Sequence, residues 1–93
     1  MIKLTTILIK NEDIAWRKID NDAILIDMDE EEVTHFNEVA AQIWAALDGK
    51  TSVAEILGQI HSLFEVEKDK VKNDVFAFLN KLLQREMVKI KQD

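Results

Sequence analysis

The chain has 93 residues, a formal net charge of -6, and neither Cys nor Pro. This length suits one domain over residues 1–93, and the 47% apolar composition argues against disorder. Without cysteine there is no disulfide, thiolate metal site or thiol nucleophile, and no Gly-rich phosphate loop occurs. No apolar run approaches the ~20 residues of a membrane span, and residues 1–10 lack a signal-peptide pattern. We therefore expect a cytoplasmic protein without a membrane partner.

The charge is unevenly distributed. Residues 1–64 carry 5 basic and 12 acidic side chains, which gives -7, whereas residues 65–91 carry 7 basic and 5 acidic ones, which gives +2. Asp93 supplies the remaining -1. Because contacts with a phosphate backbone depend on Lys and Arg, this balance disfavours a nucleic-acid partner.

Three short strands are predicted in the N-terminal half. Residues 14–19 precede an Asp-Asn-Asp turn at 20–22, and the branched residues of 23–28 form the next strand. After the acidic residues 29–32, residues 33–36 alternate polar and apolar side chains. We predict that these strands are antiparallel and that the third is an edge strand.

An apolar segment precedes the three strands. Its pattern is compatible with a strand, a docked arm or a dimer contact, so the role of residues 1–13 and a homodimer both stay open. Its apolar residues are Ile2, Leu4, Ile7, Leu8 and Ile9.

The hydrophobic period changes to that of a helix after Asn37, a favoured N-cap residue. The first helix is predicted to end at the Asp-Gly pair 48–49, where Gly would take the left-handed position. Ser52 and Glu55 have the spacing of a capping box. The second helix is therefore predicted over about residues 53–64.

A third helix follows a polar connector. Its apolar stripe has the spacing i, i+4, i+7, i+8 and i+11, which places the stripe on one face. Phe76 and Leu83 lie beside this stripe and widen it, and residues 87–90 alternate as in a short terminal strand. The stripe consists of Val71, Val75, Phe78, Leu79 and Leu82.

This order predicts an α+β fold of the winged helix-turn-helix type, with three short antiparallel strands, three helices and a short last strand. Such folds bind DNA, proteins or peptides, so the fold alone does not select a function. Nothing in the spacing of the carboxylates or hydroxyls indicates a catalytic site. We expect no enzyme activity and no cofactor.

The aromatic and histidine side chains favour structural roles. Trp44 and Trp16 are expected to pack in the core or on a sheet face. His35 is expected to be a solvated strand residue and His61 a surface residue of the second helix, because two isolated histidines do not form a zinc site.

Several short motifs occur in a recognisable order. Residues 36–44 end in Ile-Trp, residues 47–49 read Leu-Asp-Gly, and residues 51–56 read Thr-x-Val-x-Glu-Ile. Residues 74–82 read Asp-Val-x-x-Phe-Leu-x-x-Leu, and Trp-Arg stands at 16–17. This combination resembles the PqqD family, whose name refers to coenzyme PQQ synthesis.

The resemblance covers residues 14–90 and implies a recognition element for precursors of ribosomally synthesised, post-translationally modified peptides (RiPPs). Such an element is a non-catalytic chaperone that presents a precursor leader peptide to a modifying enzyme, often a radical SAM protein. In the family the leader adds as a strand to the third strand, here residues 32–36, and faces the third helix, here residues 72–83. The peptide-binding residues implied are Val33, Thr34, His35, Phe36, Lys72, Val75, Phe76, Leu79 and Leu83.

We hypothesise that Phe76 and Leu83, with Leu79 and Lys72, form the wall of this peptide groove. In the alternative, the N-terminal segment covers Phe76 and Leu83 as part of the core.

The chain also departs from the family pattern. Glu86 stands where the family usually has Gly, and the Pro-Glu-Gly-like turn of members devoted to PQQ is absent, which favours a generic leader binder. The other functions considered are a general protein-interaction module, a DNA-binding winged helix and a small enzyme.

Overall fold

The computed structural model describes residues 2–92, in which six strands and three helices form an α+β fold. One antiparallel sheet has the strand order β2-β3-β4 and the other the order β5-β1-β6. In chain order the elements are β1 (Ile7–Lys10), β2 (Ile14–Ile19), β3 (Asp22–Asp27), β4 (Glu32–Phe36), α1 (Glu38–Ala46), β5 (Asp48–Ser52), α2 (Val53–Phe64), α3 (Lys68–Gln84) and β6 (Val88–Ile90).

The three predicted antiparallel strands are confirmed as the β2-β3-β4 sheet, with β4 at its edge. β3 begins one residue earlier than predicted and ends at Asp27, whereas β4 has the bounds 32–36 implied by the family resemblance, one residue more than the alternating pattern 33–36. The turn between β2 and β3 is as tight as the Asp-Asn-Asp sequence indicates, because Ile19 pairs with Asp22 and Asp20 takes a positive φ of 55°.

The second sheet was not predicted. The N-terminal segment supplies its central strand, β1, whose Leu8 is 1% exposed. The first helix ends at Ala46, before the predicted Asp-Gly pair. Gly49 has a positive φ of 78°, as expected of this glycine, but it lies inside β5 and not at the end of the helix. The physical reason is tertiary pairing, because β1 offers an edge to which residues 48–52 bind antiparallel.

Trp44 links the two sheets. Its side chain is 0% exposed, and the rings of Trp16 and Phe36 lie edge-on to it at centroid distances of 6.5 and 6.0 Å. Lys10 of β1 places Nζ 5.3 Å from the Trp16 ring and 5.7 Å from the Trp44 ring, and donates to the Leu47 carbonyl. Burial lowers the pKa of Lys10. The prediction for Trp44 is confirmed, and Trp16 packs on the sheet face although 40% of it is exposed.

The second helix begins as predicted. The Glu55 backbone N–H donates to Ser52 Oγ at 3.2 Å, and the Ser52 N–H donates to Glu55 Oε1 at 3.1 Å. This reciprocal capping box satisfies two backbone donors at the start of α2. Glu65, with a φ of 50°, ends the helix in the left-handed conformation.

Replacing Ser52 by Ala should lower the free energy of unfolding by about 1 kcal/mol, since a helix N-cap is lost. The matched control is Ser62→Ala, which changes an exposed serine within the same helix. Urea denaturation followed by circular dichroism measures both variants. Equal losses in the two would contradict a capping role for Ser52.

The third helix buries the predicted face. Val71, Val75, Leu79 and Leu82 are each 4% exposed or less. Phe78 is half-buried at the margin of this face and packs against the core. No helix in the described part of the chain has the length and apolarity needed to cross a bilayer.

Candidate functional site

The outer edge of β4 is the first feature of the site. Among residues 2–92, β4 pairs with β3 on one side and with no strand on the other. An unpaired strand edge offers N–H and C=O groups to another chain. Which residues offer them follows from the register of the sheet.

The hydrogen bonding of the β2-β3 hairpin sets that register. The Met28 N–H donates to the Asp13 carbonyl at 3.4 Å, which continues the ladder beyond Ile14 and Asp27. Because hydrogen-bonded pairs alternate with non-bonded pairs, Ile26 is in a bonded pair with β2. The even-numbered residues of β3 therefore bond to β2 and the odd-numbered ones to β4.

In β4 this alternation selects two residues for the open edge. Thr34 pairs with Leu25, and its backbone bonds to β3. The neighbouring residues Val33 and His35 consequently direct their N–H and C=O groups outward. By the same alternation, β2 has its own open edge, to which Trp16 and Lys18 direct their backbone groups.

The edge of β4 differs from that of β2 in lying beside α3. At one end, the rings of Phe36 and Phe78 meet edge-on with centroids 5.2 Å apart. At the other end, the Arg85 guanidinium donates to Glu32 Oε2 at 2.6 Å. These two contacts hold the strand alongside the helix.

An apolar cleft of about 340 Å³ opens where β4 leads into α1. It lies between α1, α3 and the connector before α3, and Lys70 and Asp74 form part of its polar rim. A peptide paired with β4 would therefore have one end at an apolar cleft. The apolar residues lining the cleft are Val39, Ala40, Ile43, Ile60, Val66, Val71, Val75 and Phe78.

The four predicted site residues of β4 divide between two faces of the sheet. Thr34 and Phe36 face the helices, and Phe36 is only 7% exposed, so its ring belongs to the core. Val33 and His35 are on the opposite, exposed face, and His35 Nε2 lies 2.9 Å from Asp22 Oδ2. The strand thus offers a peptide its backbone at Val33 and His35 and its side chain at Thr34.

The predicted residues of α3 lie in different surroundings. Val75 is 2% exposed and lines the apolar cleft, whereas Leu79 is 0% exposed and lies in the core. Lys72 borders a groove shared with α2, and Leu83 borders one shared with β1 and β6. Phe76 is seven residues before Leu83, on the same side of the helix.

This placement corrects the hypothesis that Lys72, Phe76 and Leu83 form the wall of a groove with β4. At about 100° per residue, Phe76 and Leu83 lie roughly 160° around the helix from Phe78 and Arg85, which face β4. The position of Leu83 beside β1 agrees with the alternative in which the N-terminal segment covers it.

Sequence reasoning missed two residues that face β4. Phe78 was assigned to the core stripe, and Arg85 was not among the predicted site residues. Their spacing of seven residues was a usable signal, since it puts both on one side of α3. His61 is half-buried, not a surface residue, with Nδ1 2.7 Å from the Val66 carbonyl oxygen.

Residues 22–88 match the family described as coenzyme PQQ synthesis protein D (PqqD). The chain belongs to the PqqD family. The match includes β4 and α3 and confirms the resemblance found in the sequence motifs. No curated protein matches the chain.

Two solved structures share the fold of this PqqD-family chain. One is described as TbiB1 in complex with the TbiA(beta) leader peptide; it is 21% identical, with a TM-score of 0.81, over 91% of this chain and 99% of that one. The other is lasso peptide synthetase B1 complexed with the leader peptide; it is 24% identical, with a TM-score of 0.78, over 88% of this chain and 96% of that one.

Proposed function

We propose that this PqqD-family protein is a non-catalytic chaperone that captures the leader of a ribosomally made precursor peptide and presents it to a modifying enzyme. The observation that carries the proposal is the open edge of β4, held beside α3 and ending at an apolar cleft. The two proteins of similar fold support it, because both are described as complexes with leader peptides.

Capture occurs by strand addition to β4. A guest strand running antiparallel to β4 exchanges two hydrogen bonds with Val33 and two with His35. Because the guest runs in the opposite direction, its N-terminal part lies at the Phe36 end of β4, beside the apolar cleft. An apolar guest side chain enters the cleft there.

The cleft is needed for affinity as well as for selection. A net gain of about 0.5–1.5 kcal/mol for each hydrogen bond is partly cancelled by the ordering of the guest. Burial of one large apolar side chain adds about 1.5–3 kcal/mol. The edge therefore recognises extended backbone in general, and the cleft adds sequence preference.

The proposed role as a leader-binding chaperone also implies a modifying enzyme as partner and the cytoplasm as location. The guest is a precursor peptide made in the cytoplasm, and the enzyme that modifies it is of the radical SAM class or another peptide-modifying class. No cofactor of its own is required by a chain that only holds a peptide. In this proposal the predicted winged helix-turn-helix binds a peptide and not DNA. A DNA-binding helix presents a basic face, whereas basic and acidic residues are intermixed along α3.

Titration of the isotopically labelled protein with synthetic leader peptides of candidate precursors tests the proposal. We expect the amide resonances of Val33 and His35 to shift, together with those of Phe78 on the facing side of α3 and of Arg85, the residue directly after the helix. Trp16 and Lys18, on the other open edge, serve as the internal control. Shifts confined to the edge of β2, or no shift at all, would contradict capture by β4.

A further inference from the structure

The face of the β2-β3-β4 sheet that points away from the helices carries a patch of exposed apolar side chains beside a few polar ones. We call this face the outer face: its apolar side chains are Ile19, Ile24, Ile26 and Val33, and its polar ones include Arg17, Asp22 and His35. Ile19, Ile26 and Val33 are 49%, 42% and 70% exposed. An antiparallel sheet covered on one side normally presents polar residues on the other. Within residues 2–92, nothing covers these three side chains.

The outer face continues into the proposed peptide site. Cross-strand partners share one face, so Ile26 and Val33 form one row and Ile24 and His35 form the next. A guest strand added beside β4 extends both rows by one residue each. The outward side chains of a bound leader and the outer face consequently form one continuous surface.

The charges around this surface restrict what can cover it. Residues 14–36 contain seven carboxylates and two cations, Arg17 and Lys18, which gives -5 with His35 neutral. The carboxylates lie in the strand ends and turns at residues 20–22 and 27–32, at opposite ends of the sheet. A second copy would bring two acidic rims together, and an anionic lipid surface would be repelled.

We propose that the outer face docks the modifying enzyme through an apolar patch rimmed by basic side chains on that enzyme. The identity of the partner rests on the proposed function, whereas the apolar surface and its acidic rim are features of this chain. Docking here places the enzyme against the exposed side of the bound leader. The enzyme thereby contacts both this protein and the bound leader peptide.

The test compares the double variant Ile19→Thr/Ile26→Thr with Leu63→Gln. Threonine keeps the branched Cβ that suits a strand, and Leu63, 59% exposed on α2, is an apolar residue outside the outer face. Binding of the purified enzyme that modifies the captured precursor is measured by biolayer interferometry. Binding of the labelled leader is measured separately by fluorescence anisotropy.

We expect the double variant to bind the enzyme about ten-fold more weakly or worse, because two exposed apolar side chains of the outer face are shortened and made polar. Leu63→Gln should match the wild type for the enzyme, and all three proteins should bind the leader equally. Raising the salt from about 50 to about 500 mM should weaken enzyme binding, since the charged rim is screened. If the double variant fails to fold, as shown by circular dichroism, the single variant Ile19→Thr is used for the same comparison, because Ile19 lies on the outer face but not on β4.

The proposal is overturned if the enzyme binds the double variant as it binds the wild type, or does not bind the wild type at all. It is also overturned if light scattering shows a dimer that the double variant disrupts, because a second copy would then occupy the face. If the wild type does not bind the leader but still binds the enzyme through the outer face, the proposed leader capture is rejected. The proposed docking surface is then retained.

Discussion

Val33→Pro should weaken leader binding by about ten-fold or more while changing the free energy of unfolding by less than about 1 kcal/mol. The Val33 N–H points to the open edge of β4, so proline there removes a donor that the folded domain does not use internally. The pyrrolidine ring also occupies the space that a guest carbonyl must approach. Fluorescence anisotropy with a labelled leader measures the affinity, and urea denaturation measures the stability.

Lys18→Pro is the matched control for this variant. Lys18 directs its N–H to the open edge of β2, so the same backbone change is made in the same sheet but at the other edge. We expect its leader affinity to equal that of the wild type. If Lys18→Pro abolished binding and Val33→Pro did not, the leader would be captured by β2, and the apolar cleft beside β4 would have no part in it.

Phe78→Ala should weaken leader binding about ten-fold, whereas Phe76→Ala should leave it unchanged. The Phe78 ring lines the apolar cleft and contacts Phe36 at a centroid distance of 5.2 Å, so its removal takes away one wall of the cleft. A loss of about 1.4 kcal/mol in binding free energy corresponds to this factor and is typical of one apolar contact. Both rings are half-buried in the same helix and pack against the core.

Comparison of Phe78→Ala with Phe76→Ala separates an effect on leader binding from an effect on folding stability. Truncation of each ring should lower the free energy of unfolding by about 1–3 kcal/mol, somewhat less than for a fully buried phenylalanine. Affinities are therefore compared at a temperature at which circular dichroism shows both variants folded. An equal loss of affinity in Phe76→Ala would show that the leader contacts the side of α3 that carries Phe76 and Leu83, the two residues that the sequence hypothesis placed in the groove wall.

The placement of the acidic residues gives the domain two different surfaces. Glu32 reaches α3 through Arg85, whereas Asp22 contacts His35 on the outer face. Both contacts are exposed, so each contributes little to stability. The carboxylates matter more for the choice of partner, because their combined field favours a basic surface on an enzyme that approaches the outer face.

Local signals in the sequence determined the three strands of the first sheet, the capping box at Ser52 and the buried face of α3. Each of these depends on interactions within a few residues, such as the donation of the Glu55 N–H to Ser52 Oγ. The ordered motifs determined the family, which the match over residues 22–88 confirms. The choice of β4 as an edge strand also followed from local alternation.

The tertiary structure alone decided the second sheet and the side of α3 that faces β4. β5 has little strand signal of its own and forms because β1 is available to pair with it across more than 35 residues of sequence. The side of α3 that faces β4 depends on how the helix is rotated over the sheet, and the contacts of Phe78 and Arg85 fix that rotation. Periodicity placed Phe76 and Leu83 correctly beside the core stripe, but it has no information about which neighbour lies on that flank.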